Sequence, residues 1–377
     1  MKKNSFNIKR MLALLVMIFA GLVLTTITAL LIMSPGKPEL YLDKNGKPLA
    51  GSISEKVFLN IGGVNQGMFI KSRNINNPVL LYVHGGPAFP NYFLFDKYKP
   101  GLEDYFTVCY WEQRGGGLSY SPKVTIQSMN LDQLSLDAVE VTNYLRKRFG
   151  KDKIYMMAHS GGTTIALLAA ARNPQFYKAY IGIAQITNQM ESEKIAFNYM
   201  LDYFSKTGNQ KRLSQLNAYN VSGSDSNLIS FYTSGLRDRT MHELGIGTMH
   251  KMTSVFRDIF IPVWTCKAYT LSEKLKIWKS KFTFLPKTNL NKELCLTDFT
   301  GKVRKLDIPV YFLSGKFDLT VNIELSRAYS AQVKAPLKGF YSFENSAHSP
   351  LFEEPDRVRY IIEHDILNLR TDLADKD

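Results

Sequence analysis

Apolar residues fall into three kinds of run along this 377-residue chain, and each kind predicts a different element. The first is a single long stretch, Met11 to Met33, with no charged residue in 23 positions. As a helix rising about 1.5 Å per residue it would reach about 34 Å, against a bilayer hydrocarbon core of about 30 Å. The second kind is short and continuous. "NPVLLYVHGG" (77–86), "YFTVCYWEQRGGG" (105–117), "KIYMMAHSGG" (153–162) and "KAYIGIAQ" (178–185) each hold a strand-length apolar core, and three of them end in glycines. Runs of that form suit parallel strands covered on both faces. "IPVYFLSGKFD" (308–318) and "KGFYSFENSAH" (338–348) repeat the form near the end of the chain. The third kind has helical spacing. Leu134, Ala138, Val141 and Leu145 share one face of 131–149, "TTIALLAAARNP" continues to Pro174, and an amphipathic stretch runs from Pro355 to Leu369. Ahead of all these, "KVFLNIGGVNQGMFIKSR" (56–73) predicts two antiparallel strands joined by a glycine turn.

From about Thr187 to Gly301 the strand-like runs stop and the spacing is mostly helical. Strands alternating with helices on both sides of a helical insertion predict an α/β fold: a mostly parallel sheet flanked by helices, carrying a lid. The expected organisation is a basic tail (1–10), a transmembrane helix (11–33), a linker rich in Pro, Gly and Lys (34–55), a first core segment (56–186), the lid (187–300) and a second core segment (301–377). A cleaved signal peptide is the alternative for the N-terminus. Its apolar region would be about 7–15 residues and end in a small-residue cleavage site, whereas this one is longer and ends "LLIMSPG". The cluster Lys2, Lys3, Lys9 and Arg10 is expected to stay inside, leaving the bulk of the chain outside, although Lys37, Lys44 and Lys47 partly balance it. Net charge changes this picture little. The +14 comes from 47 basic and 33 acidic residues scattered along the chain, with no nucleic-acid motif, and fits a surface near anionic lipid.

The candidate chemistry centres on Ser160 in "MMAHSGGTTIAL". A serine hydroxyl needs a base, a group to orient that base, and donors for an oxyanion. A sharp strand-to-helix turn lifts Oγ out of the sheet and aims backbone N–H groups at developing charge. Small residues two positions either side permit the bend; here they are Ala158 and Gly162, giving A-x-S-x-G in place of G-x-S-x-G. An acid and a base should follow at the ends of later strands, and Asp318 and His348 do so, in the order Ser, Asp, His. The oxyanion donors expected are the N–H groups of Gly161, directly after the serine, and of Gly86 in "HGGPAF", since Pro87 has none. His84 and His159 are expected to hold loops in place. Three cysteines (Cys109, Cys266, Cys295) are too few for a disulfide framework, with one bridge, Cys266 to Cys295, left open. Six histidines without paired spacing point to no metal, and no cofactor motif is present.

Taken together, "HGGPA" (84–88), "WEQRGGGLS" (111–119), "AHSGG" (158–162), "GKFD" (315–318) and "ENSAHSPLFEEP" (344–355) resemble the α/β-hydrolase superfamily, and within it the proline iminopeptidase-like branch. The resemblance covers about residues 56–370. It implies a Ser–His–Asp hydrolase needing no cofactor, with Ser160, Asp318 and His348 at the triad positions and a helical lid between the sixth and seventh strands. Two departures bear on substrate: Ala88-Phe89-Pro90 stands where the family has a longer glycine run, and Glu112 where it has Asp. The family's lids hold a peptide's free amine with carboxylates, which makes Glu191 and Glu193 the candidates here. The expected partner is a small peptide or acyl-ester substrate, with membrane lipid met through the N-terminal helix. An esterase or lipase at the membrane surface is the alternative activity, and a non-catalytic binding protein a more distant one. Epoxide hydrolase or dehalogenase chemistry would require Asp in place of Ser160.

Overall fold

The computed structural model describes residues 8–376, so most of the expected basic tail lies outside the described residues. The sheet has eight strands: β1 (Ile53–Ile61), β2 (Val64–Ser72), β3 (Val79–Val83), β4 (Thr107–Trp111), β5 (Ile154–His159), β6 (Tyr177–Ile183), β7 (Val310–Gly315) and β8 (Lys338–Phe343). Their order is β1-β2-β4-β3-β5-β6-β7-β8. β1 and β2 pair antiparallel, as do β2 and β4, and all other neighbours are parallel. The first hairpin turns on Gly62 and Gly63, both at positive φ (54° and 78°), as a tight two-residue turn requires.

Continuous apolar strands follow from burial on both faces. In β3, Val79, Leu81 and Val83 enter one core, while Leu80 and Tyr82 enter the other. The first core is roofed by α3 (Leu131–Phe149) and α4 (Gly161–Arg172). α3 opens on Asn130, whose side chain accepts the Gln133 N–H, and closes at Gly150 in the left-handed conformation. The second core receives α2 (Tyr92–Tyr98) and the C-terminal helices.

Between β6 and β7 the chain is helical, from α5 (Gln189–Lys206), α6 (Gln210–Asn217), α7 (Asp225–Tyr232) and α8 (Gly235–Glu243) to α9 (Ile261–Thr265), α10 (Leu271–Lys279), α11 (Leu290–Leu296) and α12 (Phe299–Lys302). The two ends of this insertion meet, since Phe299 N–H donates to Thr187 O at 2.8 Å beside a bridge between Asn188 and Asp298. α5–α8 enclose a separate small core built on Phe197, Met200, Phe204 and Phe231. α9 and α10 instead send Val263 and Ile277 into the second sheet core, and α11 sends Leu290 and Leu294 into the first.

After β7 come α13 (Ile323–Gln332), α14 (Pro350–Glu353) and α15 (Pro355–Ile361). The amphipathic stretch expected to run unbroken to Leu369 ends as α-helix at Ile361 and widens into a π-turn, Ile362–Ile366. There Asp365 is buried and accepts from the Tyr341 hydroxyl (2.7 Å) and the Leu373 N–H (2.9 Å). All three cysteines are buried and free, so the Cys266–Cys295 bridge is not formed.

The N-terminal helix α1 (Ile8–Ile32) is long and apolar enough to cross a membrane over Arg10–Ile32. The segment after it is not loose. Gly36 and Lys37 N–H groups donate to Lys267 O (3.1 and 3.2 Å), and the buried Lys274 ammonium reaches Met33 O, Ser34 Oγ and Trp264 O. β1 also begins three residues before the expected core boundary at 56.

Candidate active site

Ser160 occupies the turn between β5 and α4 with φ 52° and ψ −128°, a conformation costing a non-glycine residue about 1–3 kcal/mol. The surroundings hold it there. Its N–H donates to Ile183 O (2.9 Å), and its carbonyl accepts from the Thr163 N–H (2.8 Å) and hydroxyl (2.6 Å). At Gly162 a Cβ would collide with Val83 O and His84 O, so glycine is required two residues past the serine. Ala158 is fully buried between Val83 and Gly182 on the neighbouring strands, and its methyl is accommodated. Ser160 itself is partly exposed.

Asp318 and His348 leave the carboxyl ends of β7 and β8, the edge of a parallel sheet where functional groups collect. The His348 Nδ1 lies 2.9 Å from Asp318 Oδ2, and Asp318 Oδ1 accepts the Val321 N–H at 2.9 Å. With Nδ1–H given to the carboxylate, Nε2 is the free imidazole nitrogen. Their loops are pressed together: a Cβ on Gly315 would collide with Ala347 O. The His348 carbonyl accepts from His159 Nε2 (2.7 Å), which sets the His348 loop beside the residue preceding Ser160. Among the described residues no hydrogen bond joins Ser160 Oγ to the imidazole, a contact that often tightens only with substrate bound.

Gly86 is exposed at φ 61°, and Gly161 is the first residue of α4. A Cβ on Gly161 would lie 3.5 Å from Gly86 N, so the two backbones converge beside the serine. Among the described residues neither N–H is taken by an internal acceptor. The loop bearing Gly86 is fastened by His84, whose Nδ1 faces Gly85 O (2.9 Å) and whose Nε2 accepts the Gln113 N–H (3.1 Å). Burial pushes His84 down to about 4 and His159 to about 3, so both are neutral at pH 7.

Several supporting residues are not recognisable from spacing. Arg114 and Asp137 form a buried two-point ion pair (2.8 Å each) under the β1–β2 turn. Glu112 accepts from the Leu118 N–H and the hydroxyl of Tyr269, just ahead of α10, linking core to lid, and burial pushes it up to about 8. Glu353 accepts the N–H groups of Ala347 (3.0 Å) and Ser349 (3.4 Å), which flank His348, and of His250 in the lid (2.5 Å). Burial pushes Glu353 up to about 7 despite those donors. Its only sequence signal is its place in the "ENSAHSPLFEEP" motif.

The two lid acids part company. Glu191 is exposed, with Lys194 at 3.9 Å. Glu193 is fully buried, clamped by Arg237 and Gln189, and Gln189 also donates to Thr320 O (2.9 Å) two residues past Asp318. Among the described residues no cluster of three or more His, Cys, Asp or Glu is arranged to hold a metal ion.

Residues 78–355 match the family model described as alpha/beta hydrolase fold. A probable aminopeptidase of Bacillus subtilis (strain 168), YbaC, is 32% identical over 308 residues, covering 82% of this chain and 95% of that protein. A proline iminopeptidase of Saccharolobus solfataricus is 24% identical over 323 residues, covering 82% and 91%. The crystal structure of a proline iminopeptidase-related protein from Thermus thermophilus superposes with a TM-score of 0.53 at 19% identity, covering 84% of this chain and 98% of that one.

Proposed function

The chain belongs to the alpha/beta hydrolase fold family, and from that premise we propose that it is a membrane-anchored serine hydrolase acting on the amino terminus of small peptides through an acyl-enzyme. Ser160 Oγ attacks the carbonyl carbon as His348 Nε2 takes its proton. Asp318 keeps the imidazole in the Nδ1–H tautomer and stabilises the imidazolium. The N–H groups of Gly86 and Gly161 receive the oxyanion. The imidazolium then protonates the leaving amine, and water repeats the sequence on the acyl-enzyme. The observation that carries this reading is the buried His348–Asp318 contact at 2.9 Å beside a serine held at positive φ.

The names borne by the relatives support a peptide over an ester. Under this reading the substrate's amine is assigned to Glu191 or Glu193. One observation favours an acyl-ester hydrolase instead: Glu193 is already paired with Arg237 and Glu191 is exposed, so neither stands as a free buried carboxylate. A desolvated ammonium without a carboxylate partner is costly. The full-length protein, treated with a fluorophosphonate probe and assayed on prolyl and acetyl-prolyl amides, tests both points. Labelling abolished by Ser160→Ala, with at least a hundredfold preference for the free amine (an ion pair of roughly 3 kcal/mol), is the expected result. Equal rates on both amides would move the assignment to the ester reading, and labelling retained in Ser160→Ala would overturn the nucleophile.

We infer further that α1 is retained as a single membrane span with the hydrolase domain on the side opposite the basic tail. Resistance to alkaline carbonate extraction together with an intact N-terminus is expected. Protein that is soluble and shortened near residue 33 would make α1 a signal sequence.

A further inference from the structure

The part of the lid formed by α9, α10 and the turns beside them carries an aromatic face that stays exposed. In the π-turn Phe256–Phe260 and the start of α9, Val255, Phe256, Phe260 and Ile261 are exposed, Phe256 by 62%. Phe282, in a second π-turn (Ser280–Phe284) after α10, is exposed by 67%. The rings form one ladder, with Phe256 5.0 Å from Phe260, Phe260 5.2 Å from Trp278, and Trp278 5.8 Å from Phe282. Its inner end is Phe89, 5.9 Å from Trp278 and three residues past Gly86. Leaving this much aromatic surface in water is unfavourable, and large exposed apolar patches mark interaction sites.

What covers the face is indicated by its neighbour. Leu22, Thr25, Thr26, Ala29 and Leu30, one stripe of α1, and Met33 just past it share a crevice with Trp264 and Thr265 of α9. Trp264 is itself 6.0 Å from Phe260. Lys274 ties Met33 O and Ser34 Oγ to Trp264 O, so lid and helix end are joined through one buried ammonium. Leu22 precedes Met33 by 11 residues, about 16 Å along a helix axis. A helix crossing a hydrocarbon core of about 30 Å therefore has this stripe in its last half, inside the leaflet nearest the lid. Trp264 and the rings beside it are then level with the membrane boundary, where amphipathic aromatics are favoured. Charge agrees: from 251 to 284, leaving aside the buried Lys274, there are six Lys and Arg against two acids, Asp258 and Glu273. Those acids are already paired, with Lys97 and Lys56. The surplus is basic and suits anionic headgroups.

We propose that the Val255–Trp264 face of the lid, together with Phe282, lies in the headgroup–acyl boundary of the same bilayer that α1 crosses. This rests on the reading of α1 as a retained span. The test reconstitutes the full-length chain in phosphatidylcholine–phosphatidylglycerol vesicles and attaches a bimane dye at Phe256→Cys, Phe282→Cys or Lys178→Cys. The native cysteines are buried, and Lys178 is an exposed control at the opposite end of the sheet from the lid. Doxyl-labelled lipid should quench the dye at 256 and 282 severalfold more than at 178. Equal quenching at all three sites in carbonate-resistant protein overturns the proposal while leaving the anchor in place. Quenching at 256 and 282 in protein that carbonate extracts keeps the lid contact and overturns the anchor. Cross-linking between two copies at 256 without lipid quenching assigns the face to a second copy of the chain and overturns the proposal.

Discussion

Single atoms decide most of what happens around Ser160. Glycine two residues past it is imposed by Val83 O and His84 O, whereas two residues before it the interior leaves room for the methyl of Ala158. The small-x-Ser-x-small pattern is therefore asymmetric in this chain, and only the second glycine is indispensable. Gly315 is less conspicuous in the sequence and matters as much, because it lets the Asp318 and His348 loops touch. Gly315→Ala should push Ala347 O away and lengthen the His348–Asp318 contact. Overpacking of this kind costs about 1–3 kcal/mol of stability, while activity should fall much further. Asp318→Asn, with no added volume, should lower kcat by roughly four orders of magnitude through the wrong tautomer. Comparing the two variants by kcat and thermal melting checks both. An Asp318→Asn enzyme with near-normal kcat would mean that another group orients His348.

At the scale of elements, the lid is bound to the core by buried carboxyl groups and their hydrogen bonds as well as by apolar contact. Glu112 joins the segment after β4 to Tyr269, and Glu353 joins the His348 loop to His250. The Glu193–Arg237 pair connects α5 to α8 and, through Gln189, to Thr320. Removing one partner of a buried pair strands the other, so Glu193→Gln should destabilise the protein by about 3–5 kcal/mol. Glu191→Gln, at an exposed position, should change stability by less than about 0.5 kcal/mol. Melting curves of both variants, read beside their prolyl and acetyl-prolyl rates, separate a structural loss from a loss of amine recognition. If Glu193→Gln melts like the wild type, the Arg237 pair is not holding the lid.

For the molecule as a whole, the buried titratable groups define a pH window of greatest stability. His84 and His159 have folded-state values below their usual 6.5, so they add stability above 6.5 and lose it as pH falls through about 4 and about 3. Glu112 and Glu353 have values above their usual 4.5, so their contribution is complete below 4.5 and is lost as pH rises through about 8 and about 7. The melting temperature in detergent should therefore peak between pH 4.5 and 6.5 and decline toward pH 8. Glu112→Gln should flatten the alkaline decline. A melting temperature that rises steadily from pH 6 to 8 would contradict this assignment.

Several features of this protein are determined locally and are present in the sequence alone. Strands covered on both faces must be apolar at every position, so the parallel sheet was visible as continuous runs, and a 23-residue uncharged stretch could be recognised as a membrane-length helix by length. The placement of Ser160, Asp318 and His348 at the ends of strand-like runs is legible in the sequence, and strand ends meet along one edge of a parallel sheet. Contacts between residues far apart in the chain were not legible. Lys274 is one lysine among many in the sequence until folding places it against Met33 O, and nothing near Glu193 in the sequence announces the Arg237 that α8 brings to it. Pattern and composition report how each segment partitions between water and the interior. Which buried charge meets which partner depends on packing across more than 200 residues in the case of Lys274, and only the tertiary structure contains that information.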